Sequence, residues 1–434
     1  MDKHYHLLLL FLLYSFSSPD SHLILATRSR NREGSEFWGY VEVRPKAHLF
    51  WWHYKSPHSN RVKDPYKPWP IILWLQGGPG GSGVASANFL QMGPLDASSN
   101  PRYFTWLRKA DLLFVDSPVG TGFSYVEDED ENLLAKSDKQ AATDLITLLK
   151  HVFKKNDARK KRSLYIFGES YGGKIAVALG LEALEAVKAR ELKLQFEGVV
   201  LGSSWISPQD FVFSWGSLLK DMSRIDDNSL KESNRLALQV KQQIEEGKYR
   251  DARSTWAEMQ RFIYERSNHV DFLNFLLDYG AQVLAPVNFK EFMNGPIRDK
   301  LQIIPTNVTW EGERELVFDA FADDFMKPRI VEVDKLLSKG VNVVVYNGQL
   351  DLICSTKGVE AWVQKLRWDG LETYLSLERQ PLYCEGDPTT KGFRRSYQNF
   401  TFYWILNAGH AVPANQPCIS LQMVGEITKS PSQS

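Results

Sequence analysis

Leu164-Tyr165-Ile166-Phe167-Gly168-Glu169-Ser170-Tyr171-Gly172-Gly173 runs from four apolar residues into a serine flanked by glycines. Behind it Ile175, Leu179, Ala183 and Val187 recur four apart, which marks one face of a helix. The stretch therefore reads as a strand, a sharp turn and a helix, with Ser170 at the turn. A serine so placed sits on strained backbone, and flanking glycines remove side chains that would collide there. The helix that follows aims its free N–H groups and positive end at any negative charge developing beside the serine. In this setting Gly-x-Ser-x-Gly predicts a nucleophile at Ser170.

Other apolar runs extend the pattern in both directions. Ile71–Leu75, Leu112–Val115, Val199–Leu201, Val343–Tyr346 and Phe402–Leu406 are apolar throughout, as strands covered on both faces are. Ala142, Leu145, Ile146, Leu149, Val152 and Phe153 give a helix between two of them. Tyr40–Val43 and Leu49–Trp52 suggest an antiparallel hairpin on the sheet edge. This alternation predicts the α/β class and, with the nucleophile turn, an α/β-hydrolase fold. That fold has a mixed, mostly parallel central sheet with helices on both faces. From about Trp205 to Asn294 strand signals vanish, and Leu230–Glu246 and Arg250–Arg266 read as charged amphipathic helices. The expected organisation is a core in two parts, residues 35–205 and 301–430, around a helical cap insertion at 206–300. Whether the insertion covers a ligand site or is a structural subdomain stays open at this level.

A serine hydroxyl needs a general base, and the base an orienting acid. Asp351 follows the strand Val343–Tyr346, and His410 follows the strand ending at Leu406. Both should leave the carboxyl edge of the sheet, where Ser170 also lies, and the order Ser…Asp…His is that of α/β-hydrolases. The loop Gln76-Gly77-Gly78-Pro79-Gly80-Gly81-Ser82-Gly83 contains Gly78-x-Gly80-x-x-Gly83, with Asp96 downstream as a dinucleotide fingerprint would show. Pro79 disfavours a helix opening within that turn, and the triad needs a second backbone N–H donor, so an oxyanion loop is the better reading.

The chain has 434 residues, with Lys+Arg and Asp+Glu both at 52, so it lacks the net charge that would draw it to nucleic acid or an anionic membrane. Lys3, the leucine run from Leu7 and the residues Ser17-Ser18-Pro19 have the order of a signal peptide over residues 1–21. No other stretch is long and apolar enough to span a bilayer, so stable membrane insertion is not expected. Sequons at Asn307 and Asn399 fit the secretory route, to either the lysosome or the exterior. Three cysteines without a Cys-x-x-Cys pair exclude a disulfide scaffold, and no metal or cofactor is called for. One bridge, Cys384 to Cys418, is expected, with Cys354 free and close to Asp351.

These residues resemble the serine carboxypeptidase family. The likeness runs through Trp74–Gly80, Val115–Tyr125, Gly168–Gly173 and Gly409–Pro413. Ser204–Pro208, Met293–Arg298 and Tyr346–Ile353 resemble its retinoid-inducible branch. The resemblance implies removal of C-terminal residues from peptides and proteins, best at acidic pH. It implies attack by Ser170, proton transfer by His410, orientation by Asp351, and an oxyanion hole from the N–H groups of Gly78 and Tyr171. It also implies that Gln76, Gly77 and Glu169 hold the substrate's terminal carboxylate. The family usually pairs that glutamate with a second one, where this chain has Gln91. An esterase or acyltransferase using the same triad, or a binding protein on a hydrolase scaffold, are the alternatives.

Overall fold

The computed structural model describes residues 26–31, 34–59, 69–154, 163–281, 285–286 and 288–430. The expected signal peptide lies outside them. Strands β1 to β5 are Ala26–Asn31, Gly34–Arg44, Ala47–Lys55, Ile71–Leu75 and Asp111–Val115. They are followed by β6 (Tyr125–Val126), β7 (Ser163–Glu169), β8 (Gln195–Gly202), β9 (Val270–Asp271) and β10 (Asn274–Asp278). The last four are β11 (Asn342–Gly348), β12 (Gln380–Tyr383), β13 (Thr390–Tyr397) and β14 (Phe400–Ile405).

One sheet takes the order β1-β2-β3-β5-β4-β7-β8-β11-β14-β13-β12, with β6 on β3. β5, β4, β7, β8, β11 and β14 run parallel. The outer strands are antiparallel. The expected hairpin is β2–β3, with β1 outside it. Strand order reverses between β4 and β7, and such a switch point opens a crevice at the carboxyl edge. Leu75 pairs with Gly168, so Gln76 and Glu169 leave the sheet side by side.

The unbroken apolarity of the central strands has a direct cause. Ile71, Leu73 and Leu75 belong to one buried cluster, while Ile72 and Trp74 belong to another. Val343 and Val345 face the first, Val344 and Tyr346 the second. Each strand thus buries both faces, which removes the alternation seen when one face meets water. The first cluster is closed by helices α1 (Asp138–Lys154) and α2 (Gly172–Lys188), with Leu145, Leu149, Ile175 and Leu179 inward. Opposite, a wide helical turn at Gly83–Met92 and the C-terminal helix Pro417–Ile427 contribute Val84, Phe89, Ile419 and Met423.

Between β8 and β11 lie helices α3 (Pro208–Asp221), α4 (Asp227–Glu245) and α5 (Tyr249–Arg266). The insertion is not purely helical, which corrects the expectation that strands are absent there. β9 and β10 form a separate antiparallel pair. Its strands are only two and five residues long, too short to show a sheet period in the sequence. β12 and β13 also escape the apolar pattern. Lys391, Arg394 and Arg395 sit on β13, and Arg395 lies over the Trp404 ring at 5.7 Å, so long charged side chains cover this end of the sheet.

Candidate active site

Ser170 has φ +57°, a left-handed conformation that a non-glycine residue adopts only where its surroundings impose it. Its own N–H is shared between the carbonyls of Gly202 and Ser203, both at 3.1 Å, which fixes the turn. The glycines around it are required by space. A β-carbon on Gly172 would stand 2.2 Å from the carbonyl oxygen of Leu75, and one on Gly77 would stand 2.4 Å from Cβ of Ser170. The glycine loop after β4 therefore lies directly against the serine. Among the described residues, the backbone N–H groups of Tyr171 and Gly78 have no acceptor.

His410 Nδ1 lies 2.8 Å from Asp351 Oδ2, and the other Asp351 oxygen accepts from the Cys354 N–H at 3.0 Å. Burial disfavours the charged imidazole, but Asp351 and, further off, Glu169 outweigh it, so the His410 pKa is raised. Ser170 and His410 line the same cavity of about 620 Å³. The chain that separates β9 from β10 braces both loops. Leu273 O accepts from the N–H of His410 at 2.8 Å, and Phe272 O from those of Leu352 and Ile353 at 3.2 and 2.9 Å. Phe275 N–H donates to Leu350 O at 2.9 Å.

Glu169 is buried beside Ser170. Its Oε1 accepts from Gln76 Nε2 at 2.7 Å and from Gln91 Nε2 at 2.9 Å. Trp74 Nε1 holds Gln76 in turn, donating to its Oε1 at 3.0 Å. Burial raises the Glu169 pKa, only partly opposed by His410 and the two amides. Glu169 Oε2 and Gln91 Oε1 are buried without a partner, and both residues line the cavity. Unpaired buried polar atoms are costly, and both of these belong to residues of the cavity wall.

Behind the serine sits a charge cluster that the sequence did not reveal. Tyr171 Oη donates to Asp324 Oδ2 at 2.6 Å. Lys174 Nζ donates to the carbonyls of Asp324 and Phe325 at 2.6 and 3.2 Å, and lies 3.5 Å from the Asp324 carboxylate. Arg329 grips Asp138 through two bonds of 2.5 Å and reaches Asp324 at 3.4 Å. Lys174 is fully buried in the first turn of α2, where the helix dipole disfavours a cation. Asp324 offsets this only in part, since burial still lowers the Lys174 pKa, while the Asp324 pKa is itself lowered, despite its burial, by Lys174, Tyr171 and Arg329. The one available signal was Lys174 itself, a charge at the start of an apolar helix.

The cavity walls are also new. Trp205, Trp256, Phe318 and Phe325 form one side, with Phe289 and Trp310 among the remaining lining residues. Cys354 is buried with Asp351 and His410, their ligand atoms lying within 4.8 Å of one another. Burial pushes its thiol well above the usual pKa, so it is not a ready nucleophile. Cys384 and Cys418 are bonded to each other, with Cα atoms 6.2 Å apart. Asn307 is exposed, whereas Asn399 is half-buried and its amide donates to the carbonyls of Leu337 and Val341, both at 2.9 Å.

Known proteins resemble this chain over nearly its whole length. The chain is 52% identical to serine carboxypeptidase-like 51 of Arabidopsis thaliana over 98% of each sequence. It is 43% identical to the retinoid-inducible serine carboxypeptidase of Homo sapiens over 92% of each. The crystal structure of a prohormone-processing carboxypeptidase from Saccharomyces cerevisiae shares the fold, with a TM-score of 0.78, 22% identity and 91% of both chains covered. The serine carboxypeptidase family profile matches residues 28–430, almost everything that forms the sheet, the insertion and the cavity. The chain belongs to the serine carboxypeptidase family.

Proposed function

We propose that this hydrolase removes single residues from the C-termini of peptides and proteins through an acyl-enzyme on Ser170, and that it favours acidic pH. Ser170 Oγ attacks the carbonyl carbon of the last peptide bond while His410 Nε2 takes its proton. Asp351 holds the imidazole in the tautomer this needs. The negative oxygen meets the N–H groups of Gly78 and Tyr171. His410 then gives its proton to the departing amine, and water reverses the sequence to release the acid and restore Ser170. Peptide termini are the expected partners, reached on a secretory route. Among the described residues no helix is long and apolar enough to cross a membrane.

The observation that carries an exopeptidase over a general hydrolase is the buried Glu169 carboxyl in the cavity wall next to Ser170, flanked by the amide donors of Gln76 and Gln91. A substrate carboxylate needs donors there. Gln76 and Gln91 each keep a second amide hydrogen, the Gly77 N–H lies in the same wall, and Glu169 donates when protonated. Blocked dipeptides with a free C-terminus should be cleaved roughly tenfold to a hundredfold more efficiently than amidated ones, the worth of a charge-assisted bond. Equal rates would point instead to an esterase or acyltransferase.

The direction of the pH effect follows. Because burial raises the Glu169 pKa, its neutral form lasts to higher pH than an ordinary carboxyl. KM is expected to be lowest below that pKa and to rise as Glu169 ionises and repels the terminal carboxylate. Glu169→Gln should flatten this rise in KM. Gln91→Glu should steepen it and move it to lower pH, because a second ionising carboxylate replaces a donor that works at any pH. Identical KM profiles for wild type and Gln91→Glu would count against this assignment.

Glycosylation is proposed at Asn307. Asn399 uses both amide hydrogens inside the fold. On secretion from a eukaryotic host, Asn307→Gln should remove a glycosidase-sensitive mass shift and Asn399→Gln should not. A shift lost only with Asn399→Gln would contradict the reading.

A further inference from the structure

The cavity holds a second carboxylate that the proposed chemistry leaves unused. Glu313 Oε1 lies 2.9 Å from where a β-carbon on Gly78 would stand, beside the loop assigned to the scissile carbonyl. Glu169 shares its charge with two amides, but among the described residues no group hydrogen-bonds to or pairs with Glu313. The residue is open to solvent at the cavity mouth, yet the walls still desolvate its carboxyl and push its pKa up, with no basic group to oppose this. The adjacent Arg314 faces elsewhere, donating to Gly120 O at 3.2 Å and lying 3.7 Å from Glu311. Among the described residues no lysine or arginine lines the cavity, and the basic side chain there, His410, is engaged by Asp351.

A carboxylate without a counter-charge is stabilised when a cation enters beside it. The same cavity offers aromatic rings, Trp256, Trp310, Phe289 and Phe318 among them, over whose faces a cation is also favourable. We infer that Glu313 is a specificity-determining residue that selects peptides with lysine or arginine at one of the two positions flanking the scissile bond. This rests on the carboxypeptidase reading above and narrows its substrate class. Partial exposure keeps the effect moderate, about tenfold in kcat/KM rather than thousands.

The test compares blocked Phe-Leu, Phe-Arg and Arg-Leu, all with free C-termini, across a pH series, since any preference should grow as the carboxyl ionises. One of the two arginine peptides should exceed Phe-Leu by about tenfold in kcat/KM. Glu313→Gln should abolish that preference, and Glu313→Lys should turn it against arginine and towards aspartate at the same position. The glutamine variant keeps the side chain's shape, so a loss of preference there is not a folding defect. Equal rates on all three peptides, or an arginine preference that survives in Glu313→Gln, would overturn the inference while leaving the carboxypeptidase reading intact. Failure to cleave any of the three would remove that reading and the inference together.

Discussion

Ser170→Ala is expected to lower kcat on a blocked dipeptide by about 10⁶-fold while leaving the fold and KM nearly unchanged. The substitution removes one oxygen from a position whose backbone is already set by the bonds from its N–H to Gly202 and Ser203. The free N–H groups of Tyr171 and Gly78 and the cavity remain, so a residue of about 10³ to 10⁴ over the uncatalysed rate should persist. A fluorophosphonate should label the wild type and fail to label the variant. Undiminished turnover or labelling of Ser170→Ala would show that the nucleophile lies elsewhere and would dissolve the roles assigned to His410 and Asp351.

The second large effect falls on stability. Asp324→Ala strips Lys174 of its nearest carboxylate and leaves a buried ammonium bonded only to carbonyls, with Asp138 as the remaining negative charge nearby. Breaking a buried pair from one side costs roughly 3–5 kcal/mol, a large part of the 5–15 kcal/mol that holds a typical domain folded. A marked fall in the denaturation midpoint is expected, together with a lower kcat, because Tyr171 loses the bond that anchors its ring. Asp324→Asn keeps the shape and should lose less stability. If Asp324→Ala unfolds at the wild-type midpoint, the cluster is not the support claimed for it.

Legibility in the sequence followed physical scale. Strands such as Ile71–Leu75 and Val343–Tyr346 were visible because both faces are buried and nearly every residue must be apolar. Ser170 was visible because the strand, the glycines and the helix that frame it fall within a single short stretch, although the space Gly172 leaves is for Leu75, distant in sequence. Asp351 and His410 followed from strand order, since parallel strands deliver their carboxyl ends to one edge. Glu313, Trp256 and Phe325 were not visible, because each reaches the cavity from an element whose placement depends on distant packing. Asp324 and Arg329 carry no local signature at all, and their meaning appears only with Lys174 beside them.

The short β9–β10 pair has a consequence for anyone wishing to trim this protein. Leu273 O holds His410, and Phe272 and Phe275 hold the loop of Asp351, all through backbone atoms. Substitutions other than to proline leave those bonds in place, whereas excision deletes them all at once. The insertion is therefore a buttress rather than an accessory. A miniaturised enzyme that splices β8 directly to β11 would keep three of its chemical groups in sequence and lose their mutual alignment in space. A chimera that exchanges α4 and α5 but retains residues 270–278 is the version that should still turn over.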